Sequence, residues 1–223
     1  MKKKQVIEKP IIFSSKMVRA ILENRKEITR RIVEPQPFPA IDWLEYRAFD
    51  NSFQGYMQPG EPTTYINKAK YWTGLKLWVR ETWAIKDFYI KPQPVGIKKE
   101  YSVSIIYKSD NSINDYVKVD EKQFDKYFIK SAWRNSELIL KWRSSIFMRR
   151  AASRILLDIM DVKIEPLHEL DDTEARLEGC KDREEFIRVW DALNKKRGYP
   201  WAANPWVYRI QFKVLKNDSG NPG

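Results

Sequence analysis

The chain carries one histidine, His168, and one cysteine, Cys180. That scarcity excludes chemistry before it selects any. A zinc site built from His and Cys alone needs more ligands than these two supply. A lone cysteine closes no intramolecular disulfide, as expected of a reducing compartment. A Ser/His/Asp triad would have to pass through His168, which sits in an ordinary "EPLHEL" stretch. Lysine, arginine, carboxylate and aromatic side chains remain, and no metal or organic cofactor is expected.

The cations are clustered. Forty-one Lys and Arg against 30 Asp and Glu leave a formal charge of +11. Residues 1–33 hold ten basic and three acidic side chains (net +7), and residues 130–154 hold seven and one (net +6). Residues 165–185 reverse the sign, with three basic against nine acidic (net −6). Two basic segments beside an acidic one read as a polyanion-facing surface with a separate acidic rim. Charge that merely keeps the protein in solution is the plainer alternative. Nine Trp, eleven Tyr and ten Phe supply both core and stacking surface. Trp78, Trp190 and Trp206 fall on apolar faces and read as core. Trp83, Trp142, Tyr199 and Trp201 fall at strand ends or in loops near basic residues, where packing and base stacking are both open.

The elements that must position these groups follow from periodicity. "IIFSSKMVRAILENRKEITRRIV" reads as strand, helix, strand. Ser14 or Ser15 caps a helix whose apolar face is Met17, Val18, Ile21 and Leu22. From Glu27 the period becomes two, with Ile28, Arg30 and Ile32 alternating with Thr29, Arg31 and Val33. The prolines of "EPQPFPAIDW" forbid regular structure and mark a boundary. Residues 40–70 carry scattered aromatics (Trp43, Tyr46, Phe49, Phe53, Tyr56) and read as an irregular packed segment. "LKLWVRETW" is a strand with Leu75, Leu77 and Val79 on one face. Residues 86–130 read as a β-rich excursion, with "YSVSIIYK" its clearest strand and "SDNSIND" a turn. "WRSSIFMRRAAS" is a basic, aromatic loop. Ile155, Leu157 and Ile159 share a face of the next long strand. Two helices follow. One is capped by Asp171 or Asp172 and stopped by Gly179; the other has a stripe of Phe186, Val189, Trp190 and Leu193. The strand "PWVYRIQFKVL" comes last, and the tail "KNDSGNPG" reads as frayed.

Composition bounds the class. At 43% hydrophobic and 32% charged, the chain is globular and too apolar for intrinsic disorder. Its length fits one domain, or one carrying a large insertion. No apolar run approaches the roughly 20 residues that span a bilayer. "MKKKQVIEKP" has a basic start but no apolar run behind it, so a cytoplasmic protein without a membrane partner is expected. The fold class is α+β with a mostly antiparallel, curved or closed sheet and a few flanking helices.

Five segments, "MVRAILENRKEITRRIV", "LKLWVRETW", "WRSSIFMRRAASRILLDIMDV", "EARLEGC" and "RGYPWAANPWVYRIQF", together resemble the ASCH domain, a PUA-like β-barrel family, in its phage and prophage branch. They span about Lys9 to Phe212. The resemblance implies a single domain over residues 1–216, with a core at about 9–34, 71–84 and 142–215 and insertions at about 35–70 and 85–141. It leaves 217–223 as a tail. Arg149 stands where the phage branch often has Pro, and Arg150 keeps its place. The resemblance also implies a partner, a nucleoside or RNA, with single-stranded DNA as a further option, taken into a basic cleft in the cytosol of a bacterium or phage-infected host.

One branch of this family removes the acyl group from N4-acetylcytidine with a K-x-x-T pair and a later glutamate. Carried over, these are Lys26, Thr29 and Glu178, with Glu174 one helical turn away as a competitor. Amide cleavage needs an activated nucleophile or an activated water. Lys26, its pKa lowered by burial and by neighbouring Arg25, Arg30 and Arg31, would serve as base. Glu178 would protonate the leaving amine or orient water, and Arg150 would stabilise an oxyanion. On a regular strand Thr29 points away from the face of Lys26, so their convergence requires a turn or bulge. Arg25, Arg30, Arg31, Arg80, Trp83, Arg143, Met148, Arg150, Arg154, Tyr199 and Trp201 are the candidate binding residues. A non-catalytic RNA- or DNA-binding module using Arg30, Arg31, Arg143, Arg149, Arg150 and Arg154 on phosphate is the alternative. A metal-independent ribonuclease and a phage-encoded inhibitor of a host protein rank below it. The sequence leaves the oligomeric state open.

Overall fold

The computed structural model describes residues 7–37, 43–47, 52–56, 62–66, 69–95, 97–124, 133–134, 137–138 and 140–215. The expected tail at 217–223, Phe49 and the basic residues at 2–4 lie outside them. Strand β1 (Glu8–Ile12) leads into helix α1 (Ser15–Leu22), where Ser14 Oγ accepts from the Met17 N–H at 3.4 Å. Val18 and Ile21 are buried on its inner face, while Leu22 is exposed. Strand β2 (Ile28–Ile32) follows, with both faces largely covered. The segment expected to be irregular instead forms a three-stranded meander of β3 (Trp43–Arg47), β4 (Ser52–Tyr56) and β5 (Pro62–Ile66). Strand pairing, rather than any local period, organises those residues.

Strand β6 (Lys76–Arg80) buries Leu77 and Val79 on the expected face, as Leu75 is just before it. The excursion after it is a second meander, β7 (Trp83–Lys91), β8 (Glu100–Tyr107) and β9 (Ile113–Val119), paired antiparallel and followed by the short helix α2 (Glu121–Gln123). The pair β10 (Trp133–Arg134) and β11 (Glu137–Leu138) and two 3-10 turns lead to β12 (Leu156–Pro166), which buries Leu157 and Ile159. Helices α3 (Asp172–Leu177) and α4 (Arg183–Asn194) precede β13 (Trp206–Leu215). In α4, Phe186 and Trp190 are buried as expected, but Leu193 is 55% exposed.

The fold is therefore α+β, with many strands and few helices. The largest sheet is ordered β1-β6-β12-β13-β2. Among the described residues its outer strands β1 and β2 are not joined, so the sheet does not close into the barrel expected from the sequence. The described chain falls into two compact units. The first takes residues up to 8, 20–77 and 157–215, and the second takes 9–19 and 78–156. Ile32, Leu167, Leu170, Ala175, Phe186, Trp190 and Val207 form a core in the first unit. In the second, Trp83, Ile85, Val103, Ile105, Tyr107, Phe124 and Met148 form another.

Tyr107 anchors this second core. Its hydroxyl donates to the Ala152 carbonyl at 2.9 Å, and its ring lies under the Arg154 guanidinium, 4.1 Å from the ring centroid. Burial pushes its pKa up to about 12, against the Asn114 amide and Arg154, which pull it down. The folded state holds this proton more tightly than the unfolded chain. The resulting stability is present below pH about 10 and is lost as pH rises toward 12. Tyr107→Phe should remove that slope, worth up to about 2–3 kcal/mol, from urea unfolding measured across this range; an unchanged slope would show that Tyr107 does not set it.

Candidate active site

Helix α1 ends where Asn24 enters the left-handed region (φ +54°), which asparagine tolerates better than most side chains. The N–H groups of Arg25 and Lys26 then both turn back to the Ala20 carbonyl, at 2.8 and 3.1 Å. Lys26 forms an isolated antiparallel bridge with Glu178. Beside it, Glu27 N–H donates to the Leu177 carbonyl at 2.8 Å, and Phe212 N–H donates to the Glu27 carbonyl at 2.9 Å. On the other strand of chain, the Asp171 carboxylate caps α3 by accepting the Glu174 N–H at 2.7 Å. Gly179 ends that helix at φ +83°. A Cβ at Gly179 would lie 2.9 Å from Ala20 Cβ and 3.3 Å from Lys26 Cβ, so glycine answers both the backbone angle and the close approach.

Lys26 is 1% exposed and Glu178 4%. The Lys26 ammonium donates to Glu178 Oε2 at 2.5 Å, to the Glu178 carbonyl at 2.7 Å and to the Ile28 carbonyl at 2.8 Å. Its three N–H donors are thereby occupied. Burial pulls the Lys26 pKa below the ordinary lysine range, against the opposing Glu178 carboxylate. Arg30, on β2, donates to Glu165 Oε1 at 2.8 Å and to Glu174. Its Nη1 stands 3.5 Å from Glu178 Oε1. Burial lowers the Arg30 pKa, but Glu178, Glu165 and Glu174 outweigh it and hold the pKa above the usual value. Burial raises Glu165, with Arg30 opposing. Arg209 lies directly across from Arg30 in the β2–β13 pairing; its Nε donates to Glu174 Oε1 at 2.5 Å and its Nη1 is 3.7 Å from Asp161.

The sequence expectation named Lys26, Thr29 and Glu178 together. The structure brings Lys26 and Glu178 into contact and gives Glu174 a different task, clamping two arginines. Thr29 is buried, paired across from Ile210, with no bulge in the β2–β13 register. Strand alternation places it with Arg31 on the face opposite Ile28 and Arg30. Among the described residues no hydrogen bond joins Thr29 to Lys26 or Glu178. Arg31 lies near Tyr71, which packs edge-on against Tyr208; burial lowers the Arg31 pKa and raises that of Tyr71. Arg25 is exposed and paired with Glu23. A pocket of about 370 Å³ borders Lys26, lined also by Asn24, Glu27, Gln211, Phe212 and Lys213. Phe212 is its one aromatic side chain, where the sequence suggested stacking platforms.

Two of the expected binding residues are core instead. Trp83 is 1% exposed, and Met148 is fully buried in the same cluster, because the strand end and loop that carry them fold inward. Arg154 is committed to Glu81 at 2.9 Å, to Asp110 at 2.9 Å, to Ser109 and to Ser112, which takes it off phosphate duty. Arg80 lies 4.9 Å over the Trp78 ring and Arg143 5.1 Å over Trp83, with burial lowering the Arg143 pKa. Arg150 is exposed. Tyr199 and Trp201 pack against the first unit's core, where Trp201 stacks on His168 and lies under Arg183. Sequence reasoning missed Glu165, Asp161 and Arg209. The signal was present: an arginine inside an otherwise apolar strand alternation must find a carboxylate.

No group of His, Cys, Asp and Glu that could hold a metal occurs among the described residues, and no described helix is long and apolar enough to cross a membrane. Comparison with protein-family models, curated proteins and solved structures gives no match to this chain.

Breaking the buried pair from one side should be costly, because it strands the other charge. Glu178→Ala should lose about 3–5 kcal/mol in urea unfolding. The double change Lys26→Met/Glu178→Leu should recover most of that loss; strictly additive losses would refute the coupling.

Proposed function

We propose that this chain is an ASCH-type, PUA-like protein that takes a nucleobase or nucleoside, free or presented by RNA, into the pocket beside Lys26. There it hydrolyses an acyl amide on a modified pyrimidine nucleoside. The observation that carries this reading is the meeting of Lys26 and Glu178, which are 152 positions apart in sequence, in one buried ion pair whose lysine borders a pocket. The pocket falls within the range of about 300–1,000 Å³ usual for small-molecule sites. A lysine and a carboxylate are the residue types that such a hydrolysis uses for proton transfer, and the cations beside the carboxylate favour a developing oxyanion.

The test is direct. The purified chain should release cytidine and acetate from N4-acetylcytidine, followed by chromatography, and Lys26→Met should abolish the release. Absence of turnover by the intact chain at every pH tried would end this reading.

A second reading, a non-catalytic nucleic-acid-binding module, is favoured by one surface of the second unit. Phe147 is 69% exposed, Ile146, Trp142, Lys141, Arg149 and Arg150 are exposed, and the Lys108 ammonium sits 5.9 Å over Trp142. No acidic residue occurs from 139 to 157. Phosphate contacts of this kind should make the affinity for a short single strand fall with salt, by about 0.7 log units per contact for each tenfold rise. A salt-insensitive nucleoside affinity with no strand binding would exclude the module.

A further inference from the structure

The aromatic and basic surface of the second unit is not a slack loop. Arg143 and Trp83 pair through their backbones: the Arg143 N–H donates to the Trp83 carbonyl at 2.7 Å, and the Trp83 N–H donates back at 3.3 Å. The turn that follows closes on itself, with the Phe147 N–H on the Ser144 carbonyl at 3.1 Å and the Met148 N–H on the Ser145 carbonyl at 3.0 Å. Met148 is buried in the unit's core and fastens the far end. Between these two anchors Ile146 and Phe147 stand in water. An aromatic side chain that a pinned turn keeps in solvent gains nothing on folding, so its placement points to a partner outside the chain.

The partner's chemistry follows from what surrounds that ring. Lys141, Arg149 and Arg150 are exposed near it in sequence, and no acidic residue occurs from 139 to 157. The Lys108 ammonium lies over the Trp142 ring, 5.9 Å from its centroid. These cations suit a polyanion. By themselves they would serve duplex and single strand alike, because both present phosphates. The exposed ring separates the two. Bases in a duplex are paired and stacked on one another, whereas an unpaired base offers its face to an aromatic side chain.

We propose that this surface binds single-stranded nucleic acid in preference to duplex. Unpaired bases stack on Phe147 and Trp142, and Lys141, Arg149 and Arg150 hold the sugar–phosphate backbone. This rests on the nucleic-acid-binding reading above and adds the kind of strand and the division of labour among the side chains. Because every base has a flat face, stacking of this kind carries little sequence preference.

Fluorescence polarisation of the full chain with a labelled short oligothymidylate, and with its duplex with oligodeoxyadenylate, tests this. The single strand should bind about tenfold or more tightly than the duplex. Phe147→Ala should weaken single-strand binding by about five- to a hundredfold while leaving its salt slope and duplex binding unchanged. Phe147→Trp, which keeps a flat ring, should retain the affinity. Arg149→Ala should instead flatten the salt slope by about 0.7 for the phosphate contact it removes. Equal affinity for the two forms, or an undiminished Phe147→Ala, would overturn the stacking site while leaving a nucleic-acid-binding module in place. No binding of either form by the intact chain would remove both. Capture of polyglutamate in place of the oligonucleotide would assign the surface to an acidic protein and likewise overturn the proposal.

Discussion

Removing charge from water is the constraint that organises the first unit. An ion taken into a protein interior loses hydration worth several kcal/mol, and only close partners of opposite sign offset that loss. Lys26 and Glu178 meet this condition through a short ion pair reinforced by two backbone carbonyls. Their neighbours fall into place around the same requirement. Asn24 and Gly179 end two helices in left-handed conformations at the point where the pair must form. Backbone bonds from Glu27 and Phe212 tie that point to the end of α3 and to β13. Arg30 and Arg209 extend the network to Glu165, Glu174 and Asp161.

Periodicity read the regular parts of this chain well. The apolar faces of β6 and β12, the alternation of β2, the Asp171 cap and the Gly179 stop were all legible, because each depends on neighbours within a few residues. The meander of β3 to β5 was not, since its order comes from pairing between strands with no strong face of their own. Closure was expected, yet among the described residues β1 and β2 are not joined; that is a relation between strands at opposite ends of a sheet, which no local period reports. Half of the candidate site was readable only through resemblance: Lys26 and Glu178 carry no local mark of their meeting. Thr29 shows the reverse, where simple alternation already said that its side chain turns away.

The second unit shows that positive charge in sequence is not yet a binding surface. Arg154 stood in one of the two basic stretches, yet its guanidinium is absorbed by Glu81, Asp110 and two serines, with Tyr107 beneath it. Those carboxylates outweigh the effect of burial and hold its pKa above the usual value. Arg19 is spent on the Ser109 carbonyl of the same turn, at 3.0 and 2.7 Å. Both arginines fasten the β8–β9 turn. Trp83 and Met148, named as candidates for binding, lie in the core instead, and the Arg143 guanidinium sits over the Trp83 ring rather than on a ligand.

The facing arginines of β2 and β13 have a consequence for how the chain avoids misfolding. Arg30 and Arg209 would repel if left alone; Glu174 reaches both only while they stand directly opposite. A slip of one residue between these strands would turn one guanidinium to the other side of the sheet and strand it away from its carboxylates. The clamp therefore penalises misaligned pairings far more than it rewards the correct one, and these charges act as an alignment key for the two strands.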